Sequence, residues 1–247
     1  MKKTTCTVML VGALCSLVIA AQAWAAQNNE PLARVERSTL LVYSMTKAPG
    51  KYIPPDVLEN AVGIAILPDV VQAGLGVGGL HGNGVFLQKC GGGWGAPVFV
   101  SLTGGTLGLQ LGAERSDIVF IFRDRKAVDD LLKGQFTFGA GVSAVEGPEG
   151  SIESRVAEKG TSNLPADIYS YRFDKKGLMA AADVSGTVLS TDSTADATFY
   201  GKSEISPRQI MEGRDIQIPP VARSLINAVT EYSAVAARTA RAAGAMG

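Results

Sequence analysis

Histidine is almost missing from this chain: His81 is the single one among 247 residues. A zinc centre built on one histidine needs several converging thiolates or carboxylates. Only three cysteines are present, and Cys6 and Cys15 fall within an apolar leader. A Ser-His-Asp arrangement is equally constrained, since His81 is the sole imidazole base and no Gly-x-Ser-x-Gly elbow presents a serine. Charge of one sign is lacking too, with 23 Lys+Arg against 23 Asp+Glu. No basic bias points to nucleic acid. No metal, cofactor or catalytic residue is therefore expected.

The first 25 residues obey a separate logic. Lys2 and Lys3 precede an apolar run from Val8 to Ala20, and Ala23-Trp24-Ala25 supplies a small-x-small cleavage site. That is the layout of a secretory signal peptide. The run is short for a spanning helix, the rival reading. Cleavage near Ala25 places the mature chain in the periplasm or outside the cell, with membrane association still open. It leaves 21 Lys+Arg against 23 Asp+Glu, a net charge of −2. It also leaves Cys90 alone, so no intramolecular disulfide forms even in a compartment that permits one. Cys90 is then a packed thiol, or an exposed one able to join two chains.

Glycine is abundant, with 29 residues, fifteen of them between positions 61 and 120. Apolar runs such as Val98-Phe99-Val100 and Ile118 to Phe122 lie between them. Each glycine inside a helix costs about 1 kcal/mol relative to alanine, whereas in sheets glycine marks bulges, turns and close backbone approach. The segment reads as a meander of short, strongly curved antiparallel strands. Gly74-Leu75-Gly76-Val77-Gly78-Gly79 fits G-x-G-x-x-G, but residues 80–87 are strand-like and no acid occurs between Asp69 and Glu114. Nucleotide binding is not expected.

Helices flank the sheet. Leu32, Val35, Thr39, Val42 and Met45 approximate a 3.6-residue period, which predicts a helix near 31–47. Asp56–Asn60 and Asp124–Leu132 read as short helices. Strand alternation resumes from Phe136 to Glu146. Tyr169–Phe173 and Leu178–Leu189 read as a hairpin joined through Asp174-Lys175-Lys176-Gly177. Residues 221–243 form an alanine-rich helix, which either packs its apolar stripe on the sheet or lies on anionic lipid through Arg223, Arg238 and Arg241. The fold class is α+β, a curved, barrel-like antiparallel sheet with an N-terminal and a C-terminal helix. One domain over 26–247 is expected.

Trp94 leads into a strand, where an indole plugs a barrel end or sits at a lipid interface. Glu114 and Asp117 flank an arginine in an apparent turn. Tyr169, Tyr171 and Arg172 with Lys175 and Lys176 form the densest aromatic and basic group. It is either a solvated hairpin tip or a surface for a phosphorylated head group.

Several short motifs occur in one order: Ala61-Val62-Gly63-Ile64, Gly82-Asn83-Gly84-Val85, Trp94-Gly95-Ala96-Pro97, Gly108-Leu109-Gln110-Leu111-Gly112, Glu146-Gly147-Pro148, Ile168-Tyr169-Ser170-Tyr171 and Phe199-Tyr200-Gly201. This series resembles the SYLF family of lipid-binding domains over roughly residues 33–213. The resemblance implies non-enzymatic binding of membrane phospholipid, with anionic or phosphoinositide-like head groups, and eukaryotic members that bind actin. For a bacterial envelope protein, actin enters only if the chain is host-directed. The alternative is a structural or protein-interaction module of the envelope. Tyr171, Arg172, Lys175, Lys176, Arg238 and Arg241 are the candidate lipid contacts.

Overall fold

Two strands carry the architecture. In the computed structural model, which describes residues 30–45, 53–91, 93–138, 144–146, 167–174, 177–179 and 186–244, β1 runs Gly63–Cys90 and β3 runs Val98–Phe122. They pair antiparallel from Gly63↔Phe122 to Phe86↔Val98, with register shifts between Leu67 and Val70 and between Leu75 and Val77. The expected meander of short strands is thus one long hairpin. The glycines bend strands without ending them, because a missing Cβ permits close approach while the ladder continues. β1 rolls over itself: a Cβ on Gly82 would stand 2.6 Å from Val70 Cγ2, and one on Gly84 would overlap the Ile66 carbonyl. The first register shift comes just after Pro68 and carries Asp69 at φ 57°.

The remaining strands complete a strongly curled sheet. β2 (Gly93–Trp94) pairs with the end of β1. β6 (Ile168–Asp174) lies along the C-terminal part of β3, flanked by parallel β5 (Ala144–Glu146) and antiparallel β7 (Gly177–Met179). The β6–β7 pairing bears out the expected hairpin at its turn end, Phe173↔Leu178, but its second arm does not run on to Leu189, which lies in a separate strand. β8 (Val188–Thr191) pairs with the start of β3 and with β4 (Gln135–Thr137).

Period-two alternation feeds two cores. One face of the sheet presents Ile64, Ile66, Val119, Ile121, Tyr171 and Phe173 to a helical layer. That layer comprises α1 (residues 30–45), α2 (Pro55–Glu59) and α6 (Pro220–Gly244). The other face places Leu67, Ile118, Phe120 and Phe122 with α3 (Arg125–Leu132) and α5 (Pro207–Met211). α6 starts at proline and buries Leu225, Ala228, Val229 and Tyr232, so the packing reading of this helix holds for its first half.

Two helices were not anticipated. α4 (Ser193–Tyr200) starts where Asp192 accepts the Ala195 amide and stops at left-handed Gly201, φ 65°. α5 opens on a capping box of Ser206 and Gln209 with Pro207 in its first turn. Both signals were in the sequence, but each helix is too short to show a period.

Candidate functional site

The predicted aromatic and basic group does not share one surface. Tyr171 is 2% exposed and lies in the core beneath the helices. Alternation along β6 sends Arg172 to the opposite face, where its Nη2 donates to Gln72 Oε1 at 2.7 Å and its Nη1 lies 3.9 Å from Glu114. The Arg172 Nε is buried without a partner among the described residues. Lys175 and Lys176 fall outside the described residues, as do the side chain of Arg241 and the expected leader, residues 1–25. Arg238 is exposed on α6.

Other expectations are corrected by position. Trp94 is not displayed at a lipid interface: it is 8% exposed, packs in the core under the helices and donates its indole N–H to Ser233 Oγ of α6 at 3.2 Å. Glu114 and Asp117 lie in β3, not in a turn, and Asp117 accepts the backbone N–H of Asp69 at 2.9 Å. Gly74–Gly79 sit inside β1, paired with β3, and open no helix. His81 is exposed, with Nδ1 3.4 Å from Thr103 Oγ1. Among the described residues no three His, Cys, Asp or Glu side chains group as a metal site. Cys90 is half-buried, and burial pushes its thiol pKa up, away from the reactive thiolate.

Four large apolar side chains of the helical layer reach solvent. Leu32, Leu40, Tyr43 and Val235 are 42%, 67%, 40% and 42% exposed, and among the described residues they are the large apolar side chains that stand out in this way. Leu32, Leu40 and Tyr43 recur at helical spacing on α1, with exposed Glu36 and Arg37 beside them. Val235 and Arg238 lie on α6 beyond Tyr232, its last buried side chain among the described residues. Tyr232 receives the Ile53 N–H on its hydroxyl at 3.0 Å, which ties α6 to the start of α2. No helix among the described residues is long and apolar enough to cross a membrane.

A cleft of about 380 Å³ with a mixed polar and apolar lining opens between α1, β1 and α4. Its wall is Arg34, 7% exposed, which donates from Nε to Glu30 at 2.5 Å and from Nη1 to Asp192 at 2.8 Å. Its guanidinium stands 5.9 Å from the Phe99 ring centroid. Burial works against the Arg34 charge, but the bonds and charges of Glu30 and Asp192 outweigh it, and the net shift is upward. Behind the cleft Asp196 is fully buried and accepts the Phe99 N–H at 2.9 Å, with Oδ2 unpartnered among the described residues. Burial raises its pKa to about 7, helped by the Asp192 charge and opposed by the Phe99 bond and Arg34. Tyr200 donates to Pro97 O at 2.7 Å and its pKa is raised, chiefly by burial.

A rolled antiparallel sheet under a helical layer defines a domain of α+β class. The family described as Ysc84, Las17-binding protein actin regulator, matches residues 103–232. The chain is 34% identical over 176 residues to Protein YSC84 of Saccharomyces cerevisiae, covering 70% of this chain and 36% of that protein. It is 34% identical over 170 residues to LAS seventeen-binding protein 3 of the same yeast, covering 68% and 36%. It is 32% identical over 193 residues to SH3 domain-containing YSC84-like protein 1 of Xenopus laevis, covering 77% and 56%. The chain belongs to the Ysc84/SYLF family. It spans between a third and somewhat over half of the length of these relatives.

Proposed function

We propose that the mature chain binds membrane phospholipid without transforming it, acting in the periplasm or outside the cell. The observation that carries this reading is the set of exposed apolar side chains on α1 and α6, with Arg37 and Arg238 beside them. Apolar side chains next to cations suit the boundary between acyl chains and anionic head groups. The SYLF resemblance supports the same ligand class. Flotation of residues 26–247 with vesicles of phosphatidylglycerol, cardiolipin or phosphoinositide tests it. Recovery with anionic vesicles is expected; a protein that stays unbound with every composition ends the reading.

A second reading is a protein-interaction module, favoured by the family's description as a Las17-binding actin regulator. For this chain it means an envelope partner, or actin where the protein reaches a host. Crosslinking in intact cells separates the two. One protein partner in high yield together with failed flotation favours the interaction module.

A further inference from the structure

The cleft between α1, β1 and α4 presents polar groups that make no hydrogen bond among the described residues. Arg34 spends Nε and Nη1 on Glu30 and Asp192 and has no acceptor among the described residues for Nη2. The side-chain amide of Asn83 and the hydroxyl of Thr194 line the cleft and make no hydrogen bond among the described residues. Glu30 engages one carboxylate oxygen, Oε1, and its side chain is 38% exposed. Thr198 donates to Thr194 O and retains its lone pairs for an outside donor. Donors and acceptors thus share one open cleft of about 380 Å³, a volume that a single sugar-sized ligand can occupy.

The balance of charge narrows what fits. Two carboxylates, Glu30 and Asp192, face one guanidinium, so the lining is net negative. That disfavours phosphate, sulfate and carboxylate ligands. An apolar ligand would strip water from the Asn83 amide and Thr194 hydroxyl without replacing it. A lone ammonium would compete with Arg34, which already sits between both carboxylates. Hydroxyl groups both donate and accept, and adjacent ones span neighbouring side chains. We propose that this cleft binds a neutral, hydroxyl-rich ligand of sugar size, either a free saccharide or the glycosyl head group of a lipid. The inference goes beyond the membrane reading and does not rest on it, since Leu40, Tyr43 and Val235 lie outside the cleft lining.

The test uses the mature chain and two arms. In the first, saturation-transfer NMR and calorimetry monitor glucose, galactose, N-acetylglucosamine and maltose. In the second, flotation compares phosphatidylcholine vesicles with and without a monoglycosyl diacylglycerol. Neither lipid carries net charge, so the anionic binding proposed above does not enter. The comparison protein is the double variant Asn83→Ala, Thr194→Val, which removes no side-chain hydrogen bond among the described residues and should melt like the parent. Binding in either arm, weakened about tenfold or more in the double variant through loss of ligand hydrogen bonds, supports the proposal. Binding in the vesicle arm alone assigns a lipid head group; binding of free sugar assigns a soluble saccharide. Silence in both arms, or binding that the double variant leaves unchanged, overturns it.

Discussion

Gly84 lies against the backbone of Ile66, eighteen residues back along the same strand. A Cβ there would overlap the Ile66 carbonyl oxygen and stand 2.8 Å from Leu67 Cα. The obstacle is main chain, which has no rotamer to change, so the roll of β1 and the absence of a side chain at Gly84 are one fact. Gly84→Ala should destabilise the protein by about 1–3 kcal/mol, as overpacking does. Gly93→Ala is the control: it is exposed, and its added Cβ meets nothing within 4 Å. A change within about 0.5 kcal/mol is expected there. Thermal melts of both variants decide it, and equal stability would contradict the self-contact.

Trp94 and Ser233 join the sheet to α6 through one hydrogen bond of 3.2 Å. Trp94→Phe keeps most of the buried ring and loses the donor. A loss of about 1 kcal/mol is expected, with Ser233→Ala similar. If that bond is the shared cause, the double variant loses less than the two single changes added together. Denaturant titrations of the four proteins measure the coupling.

Arg34, held by Glu30 one turn back in α1, clamps that helix to the corner before α4 through Asp192. Arg34→Met should cost about 1–3 kcal/mol, below the loss for a fully buried pair, because both carboxylates reach water. Arg34→Lys should rescue little. Its single ammonium lacks the planar fork that presents Nε and Nη1 to two partners. Melts of both variants against the parent test the clamp.

Asp196 sets a pH dependence opposite to that of an ordinary paired carboxylate. Its folded pKa is raised to about 7 by burial, whereas an unfolded aspartate titrates near ~3.9. Between those values the folded chain holds a proton that the unfolded chain has released. Stability from this group is therefore complete below about pH 4 and falls as pH rises toward 7. The fall amounts to a few kcal/mol at most. Asp196→Asn keeps an oxygen for the Phe99 N–H and cannot ionise. The stability difference between variant and parent should shift in the variant's favour from pH 4 to pH 7.5. Parallel curves would show that Asp196 does not titrate in this window.

How much could be read in advance depended on the length of each pattern. The helices at 30–45 and Pro220–Gly244 were legible because their stripes run over several turns. The sheet was legible as a sheet, but its connectivity was not: glycine marks where a strand can bend and does not say whether it ends. Glu114 to Asp117 looked like a turn because they are polar, yet backbone pairing carries them through β3 beside the bulge at Asp69. Tyr171 was misplaced by composition. Its neighbours Arg172 and Lys175 suggested a surface, whereas the alternation Tyr169, Tyr171, Phe173 already described an inward face. The cleft was invisible, since Arg34 and Asp192 are 158 residues apart and only the fold brings them together.

The central claim is that the helical face meets lipid, and flotation of face variants tests it most directly. Leu40→Glu and Val235→Glu alter exposed positions, 67% and 42% accessible, so the folded state should keep its stability within about 0.5 kcal/mol. The parent residues 26–247 should float with phosphatidylglycerol vesicles, and the double variant should remain in the dense fraction. Equal flotation of parent and double variant would contradict this face as the contact surface, and no flotation of either would contradict lipid binding itself.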